Sequence, residues 1–127
     1  MNLTDFRTGV AQALGTLGQV QAGTWAVHPA PPDLVDPPAY VCDWADPMDV
    51  NQSMCTDVAE LFVVVVGARF ADAAANYPTV EAMVDAARPA LTAAGFRPWQ
   101  ILRPVRFPMG QLEYLAARMQ IRQPIAA

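Results

Sequence analysis

The side chains that most often carry nucleophilic catalysis are rare in this chain of 127 residues. It has one histidine, His28, one serine, Ser53, and two cysteines, Cys42 and Cys55. A serine or cysteine nucleophile is activated by a base within hydrogen-bond reach. No catalytic sequence motif surrounds any of these four residues, and His28 precedes a proline at the predicted end of a strand. We therefore predict an ordinary strand-end histidine, no catalytic residue and no enzymatic activity.

Potential metal ligands are also sparse. The chain has no Cys-x-x-Cys pair and no second histidine, so a zinc site has little support. Asp43, Asp46 and Asp49 recur at steps of three residues, but the glycine and final glutamate of a calcium-binding loop are missing. The glycines between Gly15 and Gly18 have no lysine beside them, unlike a phosphate-binding loop. We expect a solvated acidic loop, with no metal and no cofactor.

Charge is distributed unevenly along the chain. Residues 1–87 contain eleven acids and two arginines, whereas residues 88–127 contain six arginines and one glutamate, so these parts carry net charges of −9 and +5. A basic end can indicate nucleic-acid binding. Here the arginines alternate with apolar residues, and the pI is near 4.6. Both features argue against a dedicated DNA-binding protein. The alternative is that acidic and basic surfaces meet, within one subunit or between neighbours.

Composition predicts a single domain. Apolar residues make up 54% of the chain and charged residues only 16%, so the excess apolar surface either fills the core or packs against a partner chain. The longest apolar run begins at Leu61 and is far shorter than the roughly 20 residues of a membrane span. The first residues lack the positive charge of a secretory signal. We expect folding in the cytoplasm, free thiols at Cys42 and Cys55, and no membrane partner.

The hydrophobic pattern predicts an α+β fold over residues 1–127, with a mixed or antiparallel sheet of about five strands and two main helices packed on it. The run Leu61–Val66 does not alternate, which indicates a central strand covered on both faces, by helix on one side and by another layer or subunit on the other. The first predicted helix is capped by Asn2 or Thr4 and ends near Gln21, and the second covers 79–94, with Thr79 as N-cap, a kink at Pro89 and a stop at Gly95. Strands are predicted at 25–28, 40–44 and 58–69, followed after the second helix by a hairpin of strands 99–107 and 112–122. The predicted connections are an extended proline-rich segment at 29–38 and an exposed loop at 46–56.

This order of elements resembles the tail-terminator family of long, non-contractile-tailed phages, particularly those of actinobacterial hosts. The resemblance covers most of the chain and rests on loose motifs. These are Trp25-Ala26-Val27-His28-Pro29, Pro-Pro-x-Leu-Val-x-Pro-Pro-Ala at 31–39, Val63–Val66, and Tyr114-Leu115-Ala116-Ala117-Arg118.

The resemblance implies a structural virion protein without catalysis or cofactor. Members of the family form rings, typically hexamers, at the head-proximal end of the tail, where they stop tube polymerisation and provide the surface to which the head docks. The implied partners are other copies of the chain, the tail tube protein and head-connector or neck proteins. Neck and minor tail proteins with similar small domains remain alternatives, and so does a small ligand-binding or enzymatic domain.

A ring requires a heterologous interface, in which two different surfaces of the subunit meet. The uneven charge suggests which surfaces these are. The candidate basic residues are Arg103, Arg106, Arg118 and Arg122. The candidate acidic residues are Asp33, Asp36, Asp43, Asp46 and Asp49. The alternative is that these charges pair within the subunit or remain solvated.

Overall fold

The computed structural model describes residues 1–20, 25–53 and 56–125. It has two α-helices and five strands, and it confirms the predicted α+β class. In chain order the elements are α1 (Leu3–Val20), β1 (Ala26–His28), β2 (Ala39–Ser53), β3 (Thr56–Arg69), a 3₁₀ turn (Phe70–Asp72), α2 (Ala73–Ala93), β4 (Pro98–Met109) and β5 (Leu112–Ile125).

The five strands form one mixed sheet in the order β1-β2-β3-β5-β4. β1 is parallel to β2, and all other neighbouring strands are antiparallel. The valine-rich strand β3 therefore lies at the centre, as its continuous apolar run predicts. Its register places Val64 beside Val41 on β2 and beside Arg118 on β5.

Both faces of β3 are buried, but by different means. On one face, both helices and the sheet form the main core, to which β3 contributes Leu61, Val63 and Val65. On the other face, Val64 and Val66 pack in a smaller core. That core is closed by Val35 of the proline-rich segment, which is only 1% exposed. The second layer is thus supplied by the same subunit.

The second strand is much longer than predicted. It continues through the predicted loop to Ser53 and pairs with β3 as far as Thr56, with register shifts after Trp44 and after Asn51. The prediction of an exposed loop at 46–56 is therefore wrong for 46–53. The polar sequence and Pro47 gave no strand signal, but antiparallel pairing with β3 satisfies the backbone of this segment.

Of the four helix ends, only the start of α2 differs from the prediction. Asn2 caps α1, since its side-chain oxygen accepts a hydrogen bond from the Asp5 N–H at 2.7 Å. α2 begins at Ala73, so Thr79 is not its N-cap, and the helix continues through Pro78 and Pro89. Its buried face, with Val80, Met83, Ala87 and Leu91, packs on the core, and this packing stabilises the helix despite the missing proline N–H groups.

The C-terminal end of α2 is as predicted. Gly95 adopts a positive φ of 90°, and its N–H bonds to the Thr92 carbonyl at 3.0 Å while the Phe96 N–H bonds to Leu91 at 2.8 Å. This pair of bonds is a Schellman motif, which directs the chain back onto the core through buried Phe96.

The two C-terminal strands form the predicted hairpin, but its turn consists of Gly110 and Gln111. Gly110 has φ 63°. A side chain there would approach the Asp33 carbonyl oxygen at 3.3 Å. The proline-rich segment therefore lies against the turn end of the hairpin.

Candidate subunit interface

The four arginines proposed for the basic surface lie on two faces of the sheet. β4 contains an extra residue between Leu102 and Val105, opposite Arg118 and Ala116 of β5. This β-bulge changes the alternation of side chains along β4. Arg103 lines a groove with Glu81 and Asp85 of α2, so it lies on the helix side of the sheet. Together the four do not form one basic patch.

Arg106 also lies on the helix side and is paired within the subunit. Its Nε lies 2.6 Å from Glu113, and both side chains are largely exposed. The guanidinium carbon also lies 4.4 Å from the ring centroid of Phe70. An exposed ion pair contributes about 0–1 kcal/mol, so this contact orients Arg106 more than it stabilises the fold.

Arg122 lies on the opposite face, where it joins a short polar network. Its Nε donates to Glu60 at 2.8 Å, and Gln120 donates to the other oxygen of the same carboxylate at 2.8 Å. The Arg122 guanidinium lies 4.1 Å from the centroid of Trp99. The nearly buried Glu60 carboxylate is therefore satisfied, and Arg122 fixes the position of the Trp99 ring.

Arg118 shares the face of Arg122 and lies between two aromatic rings. Its guanidinium carbon lies 5.5 Å from the centroid of Phe62 and 5.7 Å from that of Phe107. Its Nε is buried, and no hydrogen-bond acceptor is present for it among the described residues. Packing on aromatic rings accounts for the position of this arginine without a carboxylate.

The candidate acids are separated as well. Asp33 and Asp36 are exposed in the proline-rich segment, and Asp46 is exposed on β2. Asp43 is half-buried in β2 opposite Phe62, and burial raises the pKa of its carboxyl despite a backbone hydrogen bond. Asp49 pairs with Ala59 in the sheet, and its side chain lies outside the described residues.

Of the residues considered for nucleophilic chemistry, His28 and Cys42 have described side chains, and these two form no catalytic pair. His28 lies at the end of β1 opposite Val41. Cys42 is fully buried in the main core, and burial raises the pKa of its thiol to about 12, although the charge of Arg7 lowers it in part. Ser53 ends β2, and Cys55 lies outside the described residues. A buried neutral thiol is a poor nucleophile.

Across 1–20, 25–53 and 56–125, the acids, cysteines and histidine form no group of three suited to hold a metal ion. Within the same residues, no helix is both long and apolar enough to span a membrane.

One concave feature beside α2 has no signal in the sequence. A surface cavity of about 490 Å³ opens between the end of α2 and the start of β4. Arg88 and Arg97 provide its positive charge, and Ile101 contributes an apolar side chain. Among the described residues, neither arginine forms an ion pair. The net charge of residues 88–127 indicated a basic surface, but no spacing rule joins a helical Arg88 to Arg97 in a loop.

No protein-family model matches the chain, and no curated protein matches it.

Proposed function

We propose that the chain is a structural phage protein, a subunit that forms a ring at the head-proximal end of the tail tube. The ring stops tube growth and presents the surface to which the head docks. This proposal takes its biological setting from the tail-terminator resemblance. It takes its mechanical part, a subunit with two unlike binding surfaces, from the arrangement of exposed charge.

The separation of exposed charge is the observation that carries the proposal. Asp33 and Asp36 are exposed on the proline-rich segment, whereas Arg88 and Arg97 are exposed around the cavity beside α2. None of these four forms an ion pair among the described residues. Two unlike, complementary surfaces suit the head-to-tail contacts of a ring, whereas a two-fold dimer needs a self-complementary surface.

Absence of catalysis is part of the same proposal. Cys42 is enclosed and its pKa is raised, and His28 has no nucleophile paired with it among the described residues. His28→Ala is expected to leave assembly unchanged. A reproducible hydrolase, phosphatase or oxidoreductase activity that this substitution abolishes in a folded protein would contradict this part.

The proposed partners are further copies of the chain, typically in a hexamer, the tail tube protein and a head-connector or neck protein. The proposed location is the virion, after assembly in the host cytoplasm. A neck or minor tail role uses the same two-surface subunit and differs only in the tail component that it contacts.

Tube capping tests this function directly. The tube protein encoded near this chain would be polymerised with and without the purified chain, and tube ends would be imaged by electron microscopy. We expect a ring at one end only and arrest of growth at that end. Unaltered tubes with bare ends would contradict the proposal.

The cavity favours one candidate from another class, a domain that binds a small anion. Its volume of about 490 Å³ falls within the roughly 300–1,000 Å³ typical of ligand sites. Calorimetric titration with inorganic phosphate separates the candidates. Saturable binding that is lost in Arg88→Glu/Arg97→Glu, together with a wild-type chain that stays monomeric, would favour this second function.

A further inference from the structure

The proline-rich segment exposes one apolar side chain next to a residue that is anchored in the core. Leu34 is 62% exposed, while its neighbour Val35 is 1% exposed and packs against the sheet. The Tyr114 hydroxyl donates to the Val35 carbonyl at 3.1 Å. Asp33 and Asp36 flank this leucine, so the segment forms an apolar projection with negative charge on both sides. We call residues 33–36 the knob.

The cavity beside α2 has the opposite chemistry. Arg88 and Arg97 line it together with the apolar side chain of Ile101. The indole of Trp99 lies instead against Arg122, on the opposite face of the sheet. An apolar group with a carboxylate on each side fits this lining, because it covers Ile101 while its charges meet the arginines. We call this cavity the socket.

The knob cannot reach the socket of its own subunit. The knob lies beside Gly110, at the turn end of the β4–β5 hairpin, whereas the socket lies at the first residues of β4. From Ile101 in the socket to Gly110 beside the knob the chain advances nine residues, a length on the order of 30 Å at about 3.3 Å per residue. Their complementarity can therefore be satisfied only between molecules.

We infer that the knob of one subunit inserts into the socket of the next copy of this chain, with Leu34 against Ile101 and with Asp33 and Asp36 facing Arg88 and Arg97. This inference rests on the proposed ring and specifies its contact. In this contact Arg88 and Arg97 take the role that the sequence analysis gave to hairpin arginines, of which Arg106 and Arg122 are paired within the subunit. Because both surfaces are held in place by the fold, little ordering opposes association.

Sedimentation velocity over a concentration series tests the contact at low salt. Leu34→Asp removes the knob and Arg88→Glu/Arg97→Glu reverses the socket. Both changes are at exposed positions, so the unfolding midpoint of the monomer is expected to stay unchanged. Each variant is expected to raise the concentration needed for association at least about tenfold, as loss of an interface anchor does. Tyr77→Asp and Arg69→Glu are matched controls, exposed elsewhere, and are expected to assemble like the wild type.

Mixing the two defective variants gives the sharper result. One supplies an intact socket and the other an intact knob, so the mixture should form a one-to-one dimer that does not grow. A chain with Asp33→Arg, Asp36→Arg, Arg88→Glu and Arg97→Glu should assemble with itself but not with the wild type.

Three outcomes would overturn the inference, and they differ in what they leave standing. If the wild type forms rings and both defective variants do so equally well, the contact is wrong and the ring remains. If both variants fail to associate but their mixture gives no dimer, the two surfaces do not meet each other. If the wild type is monomeric throughout, both the contact and the proposed ring are wrong.

Discussion

Cys42 illustrates how position decides the chemistry of a residue in this fold. Its thiol lies in the main core between the sheet and both helices. Burial raises its pKa from 9.0 to about 12, since a thiolate is poorly solvated there, and the opposing effect of Arg7 is smaller. An enclosed thiol that stays protonated contributes packing to the core and is a weak nucleophile.

Alkaline pH should therefore weaken the fold through this residue. Below about pH 9 the thiol is protonated in both states, so it adds no pH dependence. Between about pH 9 and 12 only the unfolded thiol ionises, and stability falls by up to about 1.4 kcal/mol per pH unit. Burial also raises the pKa of Tyr40, so this hydroxyl adds a loss of stability of the same sign above about pH 10, and a comparison with a Cys42 variant cancels it.

Urea unfolding of the wild type and Cys42→Ala, from about pH 7 to pH 10.5, measures this effect. The free energy of unfolding of the wild type minus that of Cys42→Ala is expected to be constant up to about pH 8 and then to fall steadily as the pH rises. A difference that stays constant over the whole range would show that the thiol is not enclosed.

At the scale of elements, the central strand holds the two layers together. β3 gives Val63 and Val65 to the helix side and Val64 and Val66 to the side covered by the proline-rich segment. Gly67, which follows this run, lies where an added side chain would collide with Val80 of α2. The absence of a side chain there allows the helix to pack closely on the sheet.

Val64→Asp should destabilise the fold by several kcal/mol, on the order of 3 or more, because it buries a charge without a partner. Val64→Thr is the matched control, with similar shape and a cost of about 1–3 kcal/mol. Chemical denaturation measures both. A Val64→Asp protein with unchanged stability would mean that this face of β3 is open.

Two glycines, one just after the end of α2 and one inside α1, provide a paired test. Gly95 has φ 90°, whereas Gly15 lies inside α1 with open space around it. Gly95→Ala should cost about 1–2 kcal/mol because an alanine is strained in that conformation. Gly15→Ala should stabilise by about 0.4–1 kcal/mol because it improves helix propensity. Thermal unfolding of both variants shows whether Gly95→Ala lowers the melting temperature and Gly15→Ala raises it. Equal changes in melting temperature would contradict the Schellman motif at the end of α2.

Sequence predicted those elements whose signals are local. The valine run identified β3 as central, and Gly95 identified the end of α2. The extension of β2 through 46–53 was not predictable, because its strand partner, and not its own polar residues, creates it. The start of α2 at Ala73 was missed because Pro78 was read as a boundary, although a helix packed against the core can continue through it.

At the scale of the molecule, the charge asymmetry was predictable but its geometry was not. The bulge in β4 and the ion pairs of Arg106 and Arg122 depend on contacts between distant residues. These contacts divide the predicted arginines between two faces and leave Arg88 and Arg97 around the cavity. Of the predicted acids, Asp33 and Asp36 lie beside the exposed Leu34. The same short segment therefore offers both negative charge and an apolar side chain to a partner.

We propose that the chain is a subunit of a closed head-to-tail ring. Electron microscopy of the purified wild-type chain at high concentration and low salt, with two-dimensional class averages, tests it most directly. The proposal predicts closed rings with a single rotational axis and one kind of interface throughout. Monomers alone, or dimers related by a two-fold axis, would contradict it.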